Sequence, residues 1–420
     1  MTTAVPFAKL VKKAAITKGY GPGDRIDPFW SMIWGNSDGG PTISWRSIHS
    51  ERIMSDAGVH VPIRCGGKRT PSEALALLHK RRTRLVTLAP INLWRTINGQ
   101  QLAAITGNPT NASRSEEIGL LFDAELIQRG RFYYAGRSLD VPEIFRPDPH
   151  ADKVDLRHLR YADWLGVTLG GQSIKGHQYD RHNILATEFS LRAAEICPLR
   201  SVLGEGLATW PKLFGSVLRP NPHRSADAVL VREDGLKIAV EITATFTVAT
   251  VKKIEQLAEL LARDKSKSVV VLFVVAVQPN QGKTADVMKP LRRAVKKSAH
   301  SSMNRILADV ENRMAIVKWT DLFPAPGLVE PEFVQLRAQR YSAKDDDWLP
   351  TNLLDPYDVS FPGADFDAMH AMFANLNDVL GTPWWMRTGE GADLDAYLIE
   401  KAGFDKCLEI KRAADSGLGE

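Results

Sequence analysis

Residues 225–245 read SADAVLVREDGLKIAVEITAT, two apolar runs rich in valine and isoleucine that meet at Asp234-Gly235. An Asp-Gly pair between two such runs signals a tight β-hairpin, so strands are expected at Ala226–Val231 and Lys237–Thr245. Asp227 then starts the first strand and Glu241 lies near the end of the second, and the turn folds one carboxylate back toward the other. Two converging carboxylates are hard oxygen ligands of the kind Mg²⁺ takes. Two positions beyond Glu241, where an ammonium would complete a phosphodiester-handling set, the chain carries Thr243.

The sequence on either side alternates helix and strand. Tyr179–Glu195 (YDRHNILATEFSLRAAE) reads as a helix before the hairpin, and an amphipathic helix from about Val251 to Arg263 follows it. Val269–Val277 (VVVLFVVAV) reads as a buried strand, a helix is expected from about Ala285 to Val310, and Met314–Trp319 is a further short strand. This order describes a mixed α/β sheet flanked by helices. Strand alternation places Lys237, Ala239, Glu241 and Thr243 on one face. Lys237 is about 13 Å from Glu241 along an extended strand and cannot replace the missing cation. Lys252 and Lys253, on the following helix, are within reach of the carboxylates. The helix from Ala285 also carries Lys289, Arg292, Arg293, Lys296, Lys297 and His300 along one continuous face, which self-repulsion makes a site for an anion: nucleic-acid phosphates or the acidic tail of the same chain. Val277–Thr284 (VQPNQGKT) occupies the place of a phosphate-binding loop, but Val277 stands where the first glycine is required and Pro279 removes a backbone N–H, so no nucleotide loop is expected.

Upstream, Thr70-Pro71-Ser72-Glu73 is a capping box that starts a helix through ALALLHKRR to the cluster Lys80, Arg81, Arg82 and Arg84. Between Ile91 and Arg137, apolar positions Leu102, Ile105, Ile118, Leu121, Phe122 and Leu126 suit two short helices broken at Gly107-Asn108-Pro109, and RFYYAGR suits a β-ribbon. Helix, turn, helix and ribbon is the layout of a winged helix-turn-helix. Arg114 at the start of its second helix would meet base edges or phosphates, and Arg131 and Arg137 on the ribbon would meet the adjacent backbone.

With this unit ahead of Asp227…Glu241-Ile242-Thr243, and with His182-Asn183-Ile184-Leu185 in the helix before the hairpin, the chain resembles the PD-(D/E)XK nuclease-like superfamily, and in particular the replication-relaxation family of plasmid and mobile-element proteins. The resemblance covers roughly residues 85–320. It implies that Asp227 and Glu241 are metal-binding acids, that Glu188 is the acid of the first core helix, and that Lys252 or Lys253 serves as a migrated lysine. Mg²⁺ is the implied cofactor if the core is catalytic.

Of the 420 residues, 44% are hydrophobic and 25% charged, ordinary for a globular chain long enough for two or three cores. Residues 1–340 hold 48 Lys and Arg against 33 Asp and Glu, whereas residues 341–420 hold 6 against 16. A basic body suits a polyanion such as DNA. The three cysteines are scattered, without metal-ligand spacing, and imply reduced thiols. No stretch is long and apolar enough for a membrane span or a signal-peptide core, so a cytoplasmic protein is expected. Four regions are expected: an irregular Gly/Pro/Trp-rich segment at 1–65, the winged helix at 66–145, the nuclease-like domain at 155–322 and an acidic C-terminal region, partly helical, at 323–420. With the lysine absent at Thr243, the leading expectation is a DNA-binding protein of a plasmid, phage or mobile element, acting in replication, relaxation or mobilisation with a degenerate nuclease-like core. The alternatives are a Mg²⁺-dependent endonuclease and a structural or assembly subunit. Besides DNA, the expected partners are a second copy of the chain or a protein docked through the acidic region.

Overall fold

The computed structural model describes residues 3–15, 20–34, 40–58, 69–78, 82–108, 115–149, 179–214, 224–263, 268–278, 287–299, 310–360 and 381–386. The chain is mixed α/β, and its contacts divide it into two units, one comprising Thr17–Ile26, Gly39–Thr187 and Phe366–Glu420, the other Met1–Ile16, Asp27–Asp38 and Glu188–Asp365. No described helix is long and apolar enough to cross a membrane.

The first unit holds β1 (Thr42–Arg46), α1 (Ile48–Asp56), α2 (Pro71–Leu78), α3 (Arg82–Trp94), β2 (Ile97–Asn98), α4 (Gly99–Thr106), α5 (Glu116–Asp123), β3 (Ile127–Tyr134), β4 (Arg137–Ser138) and β5 (Ile144–Pro147). Its helix ends follow local chemistry. Thr70 and Glu73 exchange hydrogen bonds ahead of α2, Asn98 and Gln101 do the same at α4, and Ser115 accepts from the Ile118 N–H at α5. Helix α4 stops at Gly107, whose φ of 71° is left-handed. The strands order as β1-β3-β5-β2, antiparallel throughout, and β4 pairs back on β3 through Ala135-Gly136, both at positive φ. Strand β1 differs from the irregular segment expected before residue 65, because Thr42–Arg46 gains its backbone partners only from β3. Arg82 and Arg84 also differ from expectation: the helix from Pro71 ends at Leu78, so they belong to the start of α3. Lys80 and Arg81 lie outside the described residues, as does the region 364–412 expected as helical apart from 381–386, where Trp384–Met386 form a short 3-10 turn.

Helix α6 (Asp180–Ile196) precedes the second unit's strands β6 (Leu199–Gly204), β7 (Ala228–Arg232), β8 (Lys237–Thr243), β9 (Val269–Val275), β10 (Met314–Lys318), β11 (Arg337–Ser342) and β12 (Asp347–Asn352). The intervening helices are α7 (Trp210–Phe214), α8 (Val248–Arg263), α9 (Met288–Ala299) and α10 (Trp319–Leu322). The sheet runs β6 to β12 in chain order. Strands β8, β9 and β10 are parallel and the outer pairs antiparallel. Parallel strands need crossovers, and α8 and α9 supply them, which is why β8 and β9 are buried along their whole length. The β7–β8 turn uses Gly235 at φ 94°, and Arg232 pairs with Asp234 across it at 2.6 Å. The sheet continues past the boundary expected at 322: β11 and β12, from the acidic region, add two strands to its edge.

The core of this unit is organised around a buried cation. Arg192, 1% exposed, donates from Nε to Glu188 at 3.0 Å and from Nη2 to Asp27 at 2.8 Å. Its guanidinium lies 4.5 Å from the Phe323 ring centroid, 4.9 Å from Phe7 and 5.4 Å from Trp319. Glu188, the helix acid that the resemblance assigned to metal, is thus committed to an ion pair one helical turn away. Nearby, Cys197 is buried and donates to the Phe333 carbonyl at 3.0 Å, with burial pushing its thiol pKa up.

Arg192→Ala should cost about 3–5 kcal/mol, since it leaves the buried Glu188 charge without its cation, and Glu188→Ala should cost less, since Arg192 keeps Asp27. Urea unfolding followed by tryptophan fluorescence measures this, and a loss below about 1 kcal/mol would show that the pair is not structural.

Candidate functional site

The β7–β8 hairpin brings Asp227 and Glu241 together as its sequence implies. Asp227 sits one residue before β7, its N–H donating to the Val240 carbonyl at 3.0 Å and its carboxylate accepting the Ile242 N–H at 2.6 Å. Both contacts bracket Glu241, whose side chain is 5% exposed. Helix α8 packs Ile254, Leu257, Ala258 and Leu261 inward, and that orientation carries Lys253 to the carboxylates. Its Nζ donates to Glu241 Oε2 at 2.5 Å and to the Ser225 carbonyl at 3.3 Å. Lys252, one residue away, is exposed. The structure therefore separates the two candidate lysines.

The electrostatics are those of a buried acid with one cation for company. Burial pushes Glu241 up to about 8 against the pull of Lys253, and Asp227 and Glu205 push in the same direction as burial. Burial works to lower Lys253, but the charges of Glu241, Asp227 and Glu205 outweigh it and hold its pKa above the ordinary lysine value. Glu241 Oε1 is buried and has no hydrogen-bond partner. An orphaned carboxylate oxygen beside a second acid is a place for a cation. Among the described residues, no three His, Cys, Asp or Glu side chains converge tightly enough to ligate one ion. A metal here would draw the rest of its shell from water and backbone. Thr243, where the ammonium was sought, is buried on β8, and Lys237 lies at the strand's other end, its N–H bonded to the Ser268 carbonyl.

One residue of this neighbourhood escaped the sequence reading. Glu205 follows β6 and accepts from Ser225 Oγ at 2.7 Å. The available signal was the short apolar run Val202-Leu203 ending in Gly204-Glu205.

The basic helix α9 is partly neutralised within the chain. Lys296 pairs with Asp346 at 2.6 Å and lies 5.1 Å from the Tyr341 ring centroid, while Arg292 bonds Gln339 Oε1 and lies 5.3 Å from that of Trp348. These partners belong to β11, β12 and their turn. Lys289, Arg293 and Lys297 are exposed, and His300 lies outside the described residues. In the first unit, Arg131 is half-exposed, 3.8 Å from Glu143, and Arg137 is exposed at the β3–β4 tip. Arg114 and most of VQPNQGKT lie outside the described residues.

Comparison with protein-family models, with curated proteins and with solved structures found no match to the chain.

Lys253→Met should lower stability by about 1–3 kcal/mol, because Glu241 keeps its burial and loses its partner. Lys252→Met should stay within about 0.5 kcal/mol. Chemical unfolding followed by circular dichroism compares the two, and equal effects would contradict the pairing.

Proposed function

We propose that this chain recognises DNA and hydrolyses it with a divalent cation, its larger sheet acting as a PD-(D/E)XK-type core and its other unit as a winged helix-turn-helix. The observation that carries the reading is the Lys253 ammonium 2.5 Å from Glu241, which supplies from α8 the cation that Thr243 lacks on β8. The order α6, β6, β7, β8, α8, β9 supports it, being the helix–three strands–helix–strand order of that core. In the other unit the order α3, β2, α4, α5, β3, β5, with β5 paired between β2 and β3, matches a winged helix, and the β3–β4 hairpin would be its wing.

Asp227 and Glu241 would hold the cation, whose charge suits the orphaned Glu241 Oε1. A bound Mg²⁺ would polarise a phosphoryl oxygen and supply hydroxide at neutral pH. Lys253 would counter the negative charge that grows on the phosphate, and in the resting site it pulls the Glu241 pKa down against a burial that still leaves it raised. Recognition by one unit and cutting by the other suit replication, relaxation or mobilisation of a plasmid, phage or other mobile element.

A second reading, DNA binding by a core that does not cut, is favoured by the absence of a third converging ligand among the described residues. Incubation with supercoiled plasmid and Mg²⁺ or Mn²⁺ separates the two. Nicking or linearisation should fall about 10²–10³-fold in Lys253→Met and vanish in Asp227→Ala, while Lys252→Met should leave it unchanged. Retention of DNA without cleavage would select the binding reading.

The exposed cations of α9 carry a separate prediction. Arg293→Glu with Lys297→Glu should weaken binding to a DNA duplex and reduce the slope of log affinity against log salt by about 2. Fluorescence anisotropy over a salt series measures it, and an unchanged slope would remove this face from the DNA surface.

A further inference from the structure

The hairpin of β11 and β12 turns against the basic face of α9, and the chain there reads Asp345-Asp346-Asp347, all three exposed. Asp346 makes the contact. Its Oδ1 accepts from Lys296 Nζ at 2.6 Å and from the Tyr341 hydroxyl at 2.5 Å. Its φ of 53° is left-handed, a conformation that Asp and Asn adopt more readily than most residues. One turn back along α9, Arg292 donates to Gln339 Oε1 and lies over the Trp348 ring. The hairpin therefore engages the two half-buried cations of α9, while Lys289, Arg293 and Lys297 remain exposed.

The Lys296–Asp346 contact adds little to the fold. The Asp346 side chain is 73% exposed and that of Lys296 43%, and ion pairs this open to water contribute little stability. Helix α9 is anchored instead by Leu291, Ala294 and Val295, which are buried. What the pair changes is the field on the cation face. Lys289, Arg293 and Lys297 recur every four residues, about 6 Å apart along the axis, and Arg292 and Lys296 form the adjacent row. A polyanion drawn to the exposed row also runs along the engaged one. There Asp346 competes for Lys296, and Asp345 and Asp347 repel phosphate.

Resting on the reading of α9 as a DNA-binding face, we propose that the turn carrying Asp345, Asp346 and Asp347 regulates that face from within the chain. Asp346 stands in for a phosphate on Lys296, and DNA has to displace it to use both rows of cations. Non-specific binding to DNA is almost wholly electrostatic, so an internal acid on the phosphate face suppresses that mode most. Like charges facing each other also discriminate against loosely seated partners.

Fluorescence anisotropy of the full chain with a DNA duplex over a salt series tests this in Asp346→Asn. The substitution keeps an oxygen for Tyr341, suits the left-handed φ and removes the charge. Freeing one ammonium for phosphate should tighten binding roughly eightfold at about 0.1 M salt and steepen the slope of log affinity against log salt by about 0.9. Asp347→Asn makes the same charge change one residue away, where the carboxylate accepts the Trp348 N–H at 2.7 Å. It should give less than about half of either effect, since its charge reaches α9 only through screening solvent. Equal effects of the two substitutions would overturn the proposal in favour of a general change in net charge. Binding that responds to Arg293→Glu with Lys297→Glu but not to Asp346→Asn would overturn the competitor and leave the DNA face standing. Binding gained only in Asp346→Asn would support it. Binding indifferent to all of these changes, or absent from both the unaltered protein and Asp346→Asn, would overturn the competitor and the DNA face together.

Discussion

A guanidinium removed from water has to be compensated, and Arg192 sets this requirement for the second unit. Desolvating an ion costs several kcal/mol, so its pairing must be close and its remaining surface must meet something polarisable. Glu188 and Asp27 supply the two charges, and Phe7, Trp319 and Phe323 supply ring faces. These residues come from α6, from two N-terminal stretches and from the chain after β10. One cation therefore gathers segments hundreds of residues apart, and the aromatic cluster completed by Phe29, Phe189 and Phe333 closes around it. It also accounts for the burial of Glu188, whose carboxylate is paired with Arg192 inside the core.

The same economy of buried charge shapes the proposed site. Glu241 lies on a strand buried along its whole length, where an unpaired carboxylate would be costly. Its compensation comes from outside the sheet, by a lysine on the crossover helix that parallel β8 and β9 require. Parallel topology thus contributes indirectly to the chemistry: it forces a helix over the acids, and the helix brings the ammonium. The pairing of α9 with β11 and β12 obeys a related rule at the surface, where a dense row of cations finds Asp346 and two aromatic rings before any outside partner.

Legibility followed the range of the forces involved. The Asp234-Gly235 turn, the capping box at Thr70 and the run VVVLFVV were all readable, because turn, cap and burial preferences act within a few residues. Strands β11 and β12 were not, since RAQRYS and DWLPTN are half-exposed strands without an apolar run, and Pro350 in the edge strand argues locally against a strand. Thr42–Arg46 was hidden for a similar reason, its pairing depending on β3 more than eighty residues on.

Sequence alone determined that a hairpin would set Asp227 near Glu241, that the fold would be mixed α/β and that cations would line α9. The tertiary structure decided which of two adjacent lysines joins the acids. Neighbours on a helix point about 100° apart, so only the packing of α8 on the sheet selects Lys253 over Lys252. It also withdrew Glu188 into the core and brought Glu205 to the site. Those outcomes depend on which charges meet across distant segments, and pairing through space leaves no local pattern in a chain.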